Sequence, residues 1–237
     1  MERTRRPTPH SMLLVLLLLT DLGYITLHVL YRLDPTRSLS RYQIDMDNGL
    51  AEHYQYLKWA WLLVLTALAV ILHRTLRLVG WVVLFLAMVA TDALRLHERF
   101  GHRIARAQVL PSNGVLSAQE LGELGLVALV GLPLGLGLLA GLWRAPRAIK
   151  AFTGDLLVLL GALFTVGVLL DAVGSVLPAA SKASHVTQVL EDGGEMMVAS
   201  VMVAFVFGWV CTGGRLRLLS RQGWWAARSG AGEQAVG

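Results

Sequence analysis

Apolar residues run almost without interruption through six stretches of this chain, about 12–31, 57–73, 78–96, 121–143, 154–178 and 189–212, and polar residues collect in the pieces between them. Each stretch approaches the ~20 apolar residues that a helix rising ~1.5 Å per residue needs to cross ~30 Å of hydrocarbon. None is long enough to cross twice. The pattern predicts an all-α, polytopic transmembrane bundle of six spans, residues 1–214 forming one domain and 215–237 a tail. The start resembles a signal peptide, with Arg3, Arg5 and Arg6 before the apolar run from Met12. No small-x-small cleavage site follows, however, and apolar character resumes after Asp21, which predicts an uncleaved first span.

Composition agrees with this. Of 237 residues, 55% are hydrophobic and 16% charged, with a mean hydropathy of +0.57, which excludes an ordinary soluble domain. The net charge of +5 does not point to nucleic acid, because the basic residues lie in short flanks between apolar runs and not on one continuous face. The implied partners are membrane lipid and, where polar faces are left over, another protein in the membrane. The single cysteine, Cys211, excludes an intrachain disulfide and a cysteine-based zinc site.

With the N-terminus in the cytoplasm, twelve Lys and Arg fall inside and nine outside. The arginines at 95, 99, 103 and 106 oppose that assignment. The acids separate more cleanly: apart from Glu2, Asp21, Asp155 and Glu233, all sixteen lie at outer helix ends or in outer loops. An N-in, C-in topology is expected. The tail, with Arg215, Arg217, Arg221, Trp224 and Trp225, suits a cytoplasmic headgroup layer. In the fourth span, Gly131 with Gly135 and Gly137 with Gly141 form small-residue ridges, expected to pack within the bundle. Before it, Ser117 and Glu120 have capping-box spacing.

Ionisable groups inside a bilayer are costly, so they are the best pointers to function. At about 100° per residue, His185, Gln188, Glu191, Asp192 and Glu195 share an arc of roughly 120° at the entrance of the sixth span. Asp92, Arg95, Glu98, Arg99 and His102 share a similar arc on the third span, with His97 pointing elsewhere. Asp21, Tyr24 and His28 lie on one face of the first span. Asp45, Asn48 and Glu52 align before the second, where Glu52 also suits the first turn of a helix. Helix rise puts Asp92 and Asp171 roughly 10 Å below the outer surface, near His28 and Glu195, while Asp21 is close to the midplane.

Oxygen and nitrogen donors without thiolate suit a divalent metal such as zinc, manganese or iron. The expected ligands are Asp92, Asp171, His185, Glu191 and Glu195, with His28, His97, Glu98 and Asp192 secondary. No His-Glu-x-x-His or Glu-x-x-His spacing is present.

Three segments, Ile44 to Lys58 (IDMDNGLAEHYQYLK), Thr91 to Glu98 (TDALRLHE) and Val189 to Glu195 (VLEDGGE), resemble a diffuse group of uncharacterised polytopic bacterial membrane proteins. The resemblance covers about a fifth of the residues and brings no activity. It implies a cytoplasmic-membrane location and groups Asp92, His97, Glu98, Glu191 and Glu195. Thr91 stands where the group often has a second aspartate, and Asp192 where it has a second glutamate. The polar helix ends are also similar to membrane metallohydrolases of the alkaline ceramidase type, whose His-x-x-x-His is absent here.

The expected function is thus an integral membrane protein with an outer-leaflet carboxylate and histidine site that binds a divalent metal. If that site is catalytic, metal-activated water would attack a lipid or other interfacial substrate. The alternatives are a proton- or cation-coupled transporter with Asp21 on its path, and a non-catalytic subunit or assembly factor.

Overall fold

The computed structural model describes residues 7–34, 40–46, 48–107, 117–178, 181–219 and 224, without the side chains of Ser40, His97, Glu98, Glu120, Asp171 and Ser175. The loop at 111–114, Trp225 and the rest of the tail lie outside the described residues. Those described form helices and short connections with no strand among them. Six helical segments are long and apolar enough to cross a membrane: Pro9–Leu33, Leu50–Leu72, Leu76–Ala93, Leu121–Leu142, Arg147–Gly174 and Lys182–Cys211. The protein is an integral, multi-pass membrane protein of all-α class.

Helix α1 (Pro9–Leu33) starts where Pro9 follows Thr8, whose hydroxyl accepts from Ser11 N at 3.4 Å. Proline suits this position because the first amides have no partner within the helix. It ends before Pro35, with Asp34 as its C-cap. A turn through Asn48, at φ +56°, leads to α2 (Leu50–Leu72). A 3-10 turn at Leu76–Leu78 then opens α3 (Val79–Ala93).

The third span does not continue as one helix. Arg95 takes a left-handed conformation at φ +50°, and α4 (Leu96–Ala107) starts afresh beyond it. The arc drawn from Asp92 through Arg95 to His102 is therefore lost, because a helical projection holds only while each turn follows the last. Gly101 of α4 instead meets Gln119 and Glu123, and Ile104 meets Gly122, all on α5 (Ala118–Leu142).

Helix α6 (Arg147–Phe164) runs through a π-helical turn at Thr165–Leu169 into α7 (Leu170–Val176). Helix α8 (Lys182–Cys211) is capped by Ser181, whose hydroxyl accepts from Ser184 N at 3.0 Å. It forms the axis of the bundle. Ala199, Ser200 and every residue from Met202 to Val206 are buried, so all its faces are covered by α1, α2 and α6. In α5, by contrast, the long apolar side chains of Leu129, Leu132 and Leu136 are exposed, as suits a face solvated by lipid. A Cβ built on Gly131, Gly135, Gly137 or Gly141 meets nothing within 4 Å. The small-residue ridges expected to pack within the bundle therefore border open space.

The two ends of the bundle are built differently. The end that carries Thr8 and Trp224 is tightly filled. Phe152 packs between Phe205 and Trp209 with ring centroids 5.6 and 4.4 Å away, and Trp81 donates to Thr153 Oγ1 at 3.2 Å. The tail's described part folds back onto this end. Arg217 pairs with Asp155 at 2.8 Å, Leu216 is buried, and Trp224 sits edge-on to His10 while its carbonyl accepts from the Thr8 hydroxyl. The opposite end holds Asp45, Glu52, Asp92, Asp192 and Glu195 around a cavity.

Between the two ends lies a polar contact that holds α1, α2 and α8 together. Lys58 Nζ donates to Asp21 Oδ1 at 2.6 Å and to Met196 O at 2.8 Å. Ser200 Oγ donates to Asp21 Oδ2 at 2.6 Å. All three side chains are fully enclosed, and the ammonium also lies 4.2 Å above the Tyr54 ring. In hydrocarbon a lone lysine or aspartate is costly, and pairing them from different spans is the ordinary solution.

Candidate functional site: a carboxylate-walled cavity

At the acidic end, a cavity of about 310 Å³ opens between the segment before α2 and helices α2, α3 and α8. Five carboxylates line it: Asp45, Glu52, Asp92, Asp192 and Glu195. Gln55 and Tyr56 add neutral polar groups, and among the described residues the lining itself includes no lysine, arginine or histidine, although Arg32 reaches Asp45 from α1. Such a surface attracts cations, because like charges in one recess repel unless a counter-charge or proton intervenes.

Local structure accounts for most of these positions. The Asp45 segment is tied down from α1: Arg32 Nη2 donates to Asp45 Oδ2 at 2.6 Å and to Gln188 Oε1 of α8 at 3.1 Å. His28 Nδ1 accepts from Ile44 N at 3.2 Å and lies 3.4 Å from Asp45 Oδ1. Glu52, in the first turn of α2, accepts from Asn48 N and from the Tyr56 hydroxyl. It therefore stabilises the helix start while forming part of the wall. Both amide atoms of Gln55 are buried without a hydrogen-bond partner among the described residues, and a buried orphan of this kind normally has water or a ligand beside it.

Glu195 is placed by backbone geometry. A Cβ on Gly167 would overlap its Oε1, so the carboxylate lies against bare backbone in the π-helical turn Thr165–Leu169. π-Turns inside α-helices occur frequently at functional sites. The neighbouring Gly193 and Gly194 bring α8 close to α1 and to that turn; added Cβ atoms would come within 2.9 Å of Ile25 and 2.7 Å of Val166.

The residues expected from sequence divide into groups. Asp92, Asp192 and Glu195 come together at the cavity. His28 and His185 line a separate recess of about 690 Å³ between α1 and α8. Glu191 is half-buried and is not in the cavity wall. The side chains of Asp171, His97 and Glu98 lie outside the described residues. Asp21 is in the buried contact with Lys58. Among the described residues, no group of three or more His, Cys, Asp or Glu is placed to hold a metal ion directly. The carboxylates surround a space without converging on a point.

Sequence reasoning passed over Lys58, Gln55, Tyr56 and Gly167. Lys58 had a usable signal: a lysine inside the second span and an aspartate inside the first form one charge pair. Glu52, Gln55 and Tyr56 also had one, since positions i, i+3 and i+4 share a helix face. Gly167 had none, because a π-turn leaves no mark in hydropathy.

Residues 12–210 match the model of a family described as a domain of unknown function (DUF8692). No curated protein and no solved structure matches the chain.

Proposed function

We propose, for a chain that belongs to the DUF8692 family of unknown function, that the acidic cavity is a divalent-cation site facing the outer leaflet of a bacterial inner membrane. The observation that carries it is the set of five carboxylates around one cavity, of which Asp45 is paired with Arg32 from outside the wall. Since no three potential ligands among the described residues are grouped to hold an ion directly, the cation would keep part of its water shell. This is normal for small hard cations. An oxygen-only wall, with His185 turned to another recess, favours manganese over zinc or iron. If the centre is catalytic, its chemistry is activation of a cation-bound water against a substrate at the interface. A transport path through Asp21 is less well supported, since both oxygens of that carboxylate already hold Lys58 and Ser200.

Titration of the purified protein with Mn²⁺, followed by electron paramagnetic resonance, tests the site. One saturable site is expected in the intact protein. Asp92→Asn and Glu195→Gln are each expected to weaken it about tenfold or more, the scale of losing one charged partner worth ~1.5–3 kcal/mol. Glu191→Gln, outside the wall, should bind as the parent does. Absence of saturable Mn²⁺ binding would remove the proposal.

A further inference from the structure

Two short basic stripes face each other away from the acidic cavity. His28 and Arg32 stand at i and i+4 in the last turns of α1, and Lys182 and His185 at i and i+3 in the first turns of α8, so each pair shares one face of its helix. The two faces meet. Arg32 Nη2 donates to Gln188 Oε1 of α8 at 3.1 Å, and all four basic side chains line the recess of about 690 Å³ between the helices. Among the described residues that lining holds no aspartate or glutamate. Asp45 reaches Arg32 from the cavity side at 2.6 Å and offsets one charge. Both that bond and the one to Gln188 use Nη2, which leaves the N–H donors of Nη1 and Nε in the guanidinium fork. Such a fork matches the oxygens of a phosphate. Lys182 and His185 are exposed beside it.

The rest of the wall is apolar and lies deeper. Val29, Val186, Val189 and Leu190 continue the recess below the basic rim, over a helix rise of about 12 Å from Lys182 to Leu190. Val186 and Leu190 are 58% and 56% exposed, so the recess is open along its side to the bilayer. Its volume falls in the ~300–1,000 Å³ range of small-molecule sites. A soluble anion would satisfy the rim and leave the apolar part uncovered. A hydrocarbon alone would leave the rim without counter-charge. Basic side chains at helix ends in the interface attract anionic lipid headgroups, and the hydrocarbon of such a lipid lies at the depth of the valines and Leu190.

We infer that the α1–α8 recess binds an anionic phospholipid, its phosphate at Arg32, Lys182 and His185 and one acyl chain along Val186 and Leu190. The recess supplies both contacts from its own side chains, so the proposal does not rest on the cation site.

The test uses the full chain in phosphatidylcholine nanodiscs with a rising fraction of phosphatidylglycerol that carries a photoactivatable diazirine in one acyl chain. Cross-links are mapped by mass spectrometry. Labelling of Val189 and Leu190 should saturate at a low fraction, while that of Leu16 and Leu19, which face outward on α1, rises in proportion to it. Lys182→Gln with His185→Gln should raise the half-saturating fraction about fivefold, the scale of one cation near anionic lipid. Val186→Trp fills the recess from an exposed position and should abolish saturation at Leu190; it serves as the second variant should the double one fail to fold. Labelling that rises in proportion at every position, or saturation unmoved by either variant, overturns the proposal. Equal saturation by the same probe built on phosphatidylcholine overturns the anionic head. Displacement by excess inorganic phosphate would overturn the lipid in favour of a soluble anion. Disulfide cross-linking between copies through Val186→Cys, in a Cys211→Ser background, would overturn it in favour of a second copy of the chain.

Discussion

Lys58→Met is expected to destabilise the bundle by about 3–5 kcal/mol, and Asp21→Leu by a similar amount, because each leaves the partner's charge enclosed without compensation. The pair lies in the middle of the chain's most buried helix contacts, with Lys58 and Asp21 both at 0% exposure. Lys58 also holds Met196 O, and Ser200 holds the second Asp21 oxygen, so a single substitution strands more than one polar group. Asp21→Leu combined with Lys58→Met removes both charges and should recover most of the loss, as apolar replacements of buried ion pairs commonly do. Reversible unfolding in mixed micelles would show this as two destabilised single variants and a double variant near the parent. A Lys58→Met protein as stable as the parent would mean that the contact does not hold α1, α2 and α8 together. The double variant also separates roles, since a structural pair is dispensable once replaced, whereas a proton path through Asp21 would be lost.

Hydropathy made the architecture readable because the bilayer imposes one requirement on every span: internal satisfaction of backbone hydrogen bonds over a fixed thickness. The six spans among the described residues lie within several residues of those expected. Interruptions were not readable. Nothing in Leu94–Arg95–Leu96 is a helix breaker by composition, yet Arg95 turns left-handed and redirects the arginines onto α4. Glycine spacing in α5 suggested close packing, whereas Gly131 and Gly135 border a cleft, because spacing marks where approach is possible and not where a neighbour comes.

The site was legible in its acids and not in their grouping. An arc of 120° on α8 is wide enough to face two neighbours, so His185 and Gln188 turn towards α1 while Asp192 and Glu195 face the cavity. Asp45 and Glu52 precede or open the second span and carry plausible roles at the helix start, which Glu52 does fulfil. Only the fold shows that they also complete the wall.

Gly167→Ala is expected to weaken Mn²⁺ binding by about 10–100-fold, the range for removing a group that orients a metal ligand. A single methyl would overlap Glu195 Oε1, so the carboxylate must swing away from the position it shares with Asp92 at the cavity wall. The π-helical turn brings that stretch of bare backbone to Glu195, so the turn acts on the cation through the side chain it seats. Gly161→Ala is the matched control. It lies in α6, less than two turns before Gly167, with nothing within 4 Å of its added Cβ, and alanine there should strengthen the helix by about 0.5–1 kcal/mol. If both variants bind Mn²⁺ as tightly as the parent, the π-turn does not set the position of Glu195. If Gly167→Ala alone loses affinity while its helix content and unfolding midpoint match those of Gly161→Ala, the loss comes from the carboxylate and not from the fold.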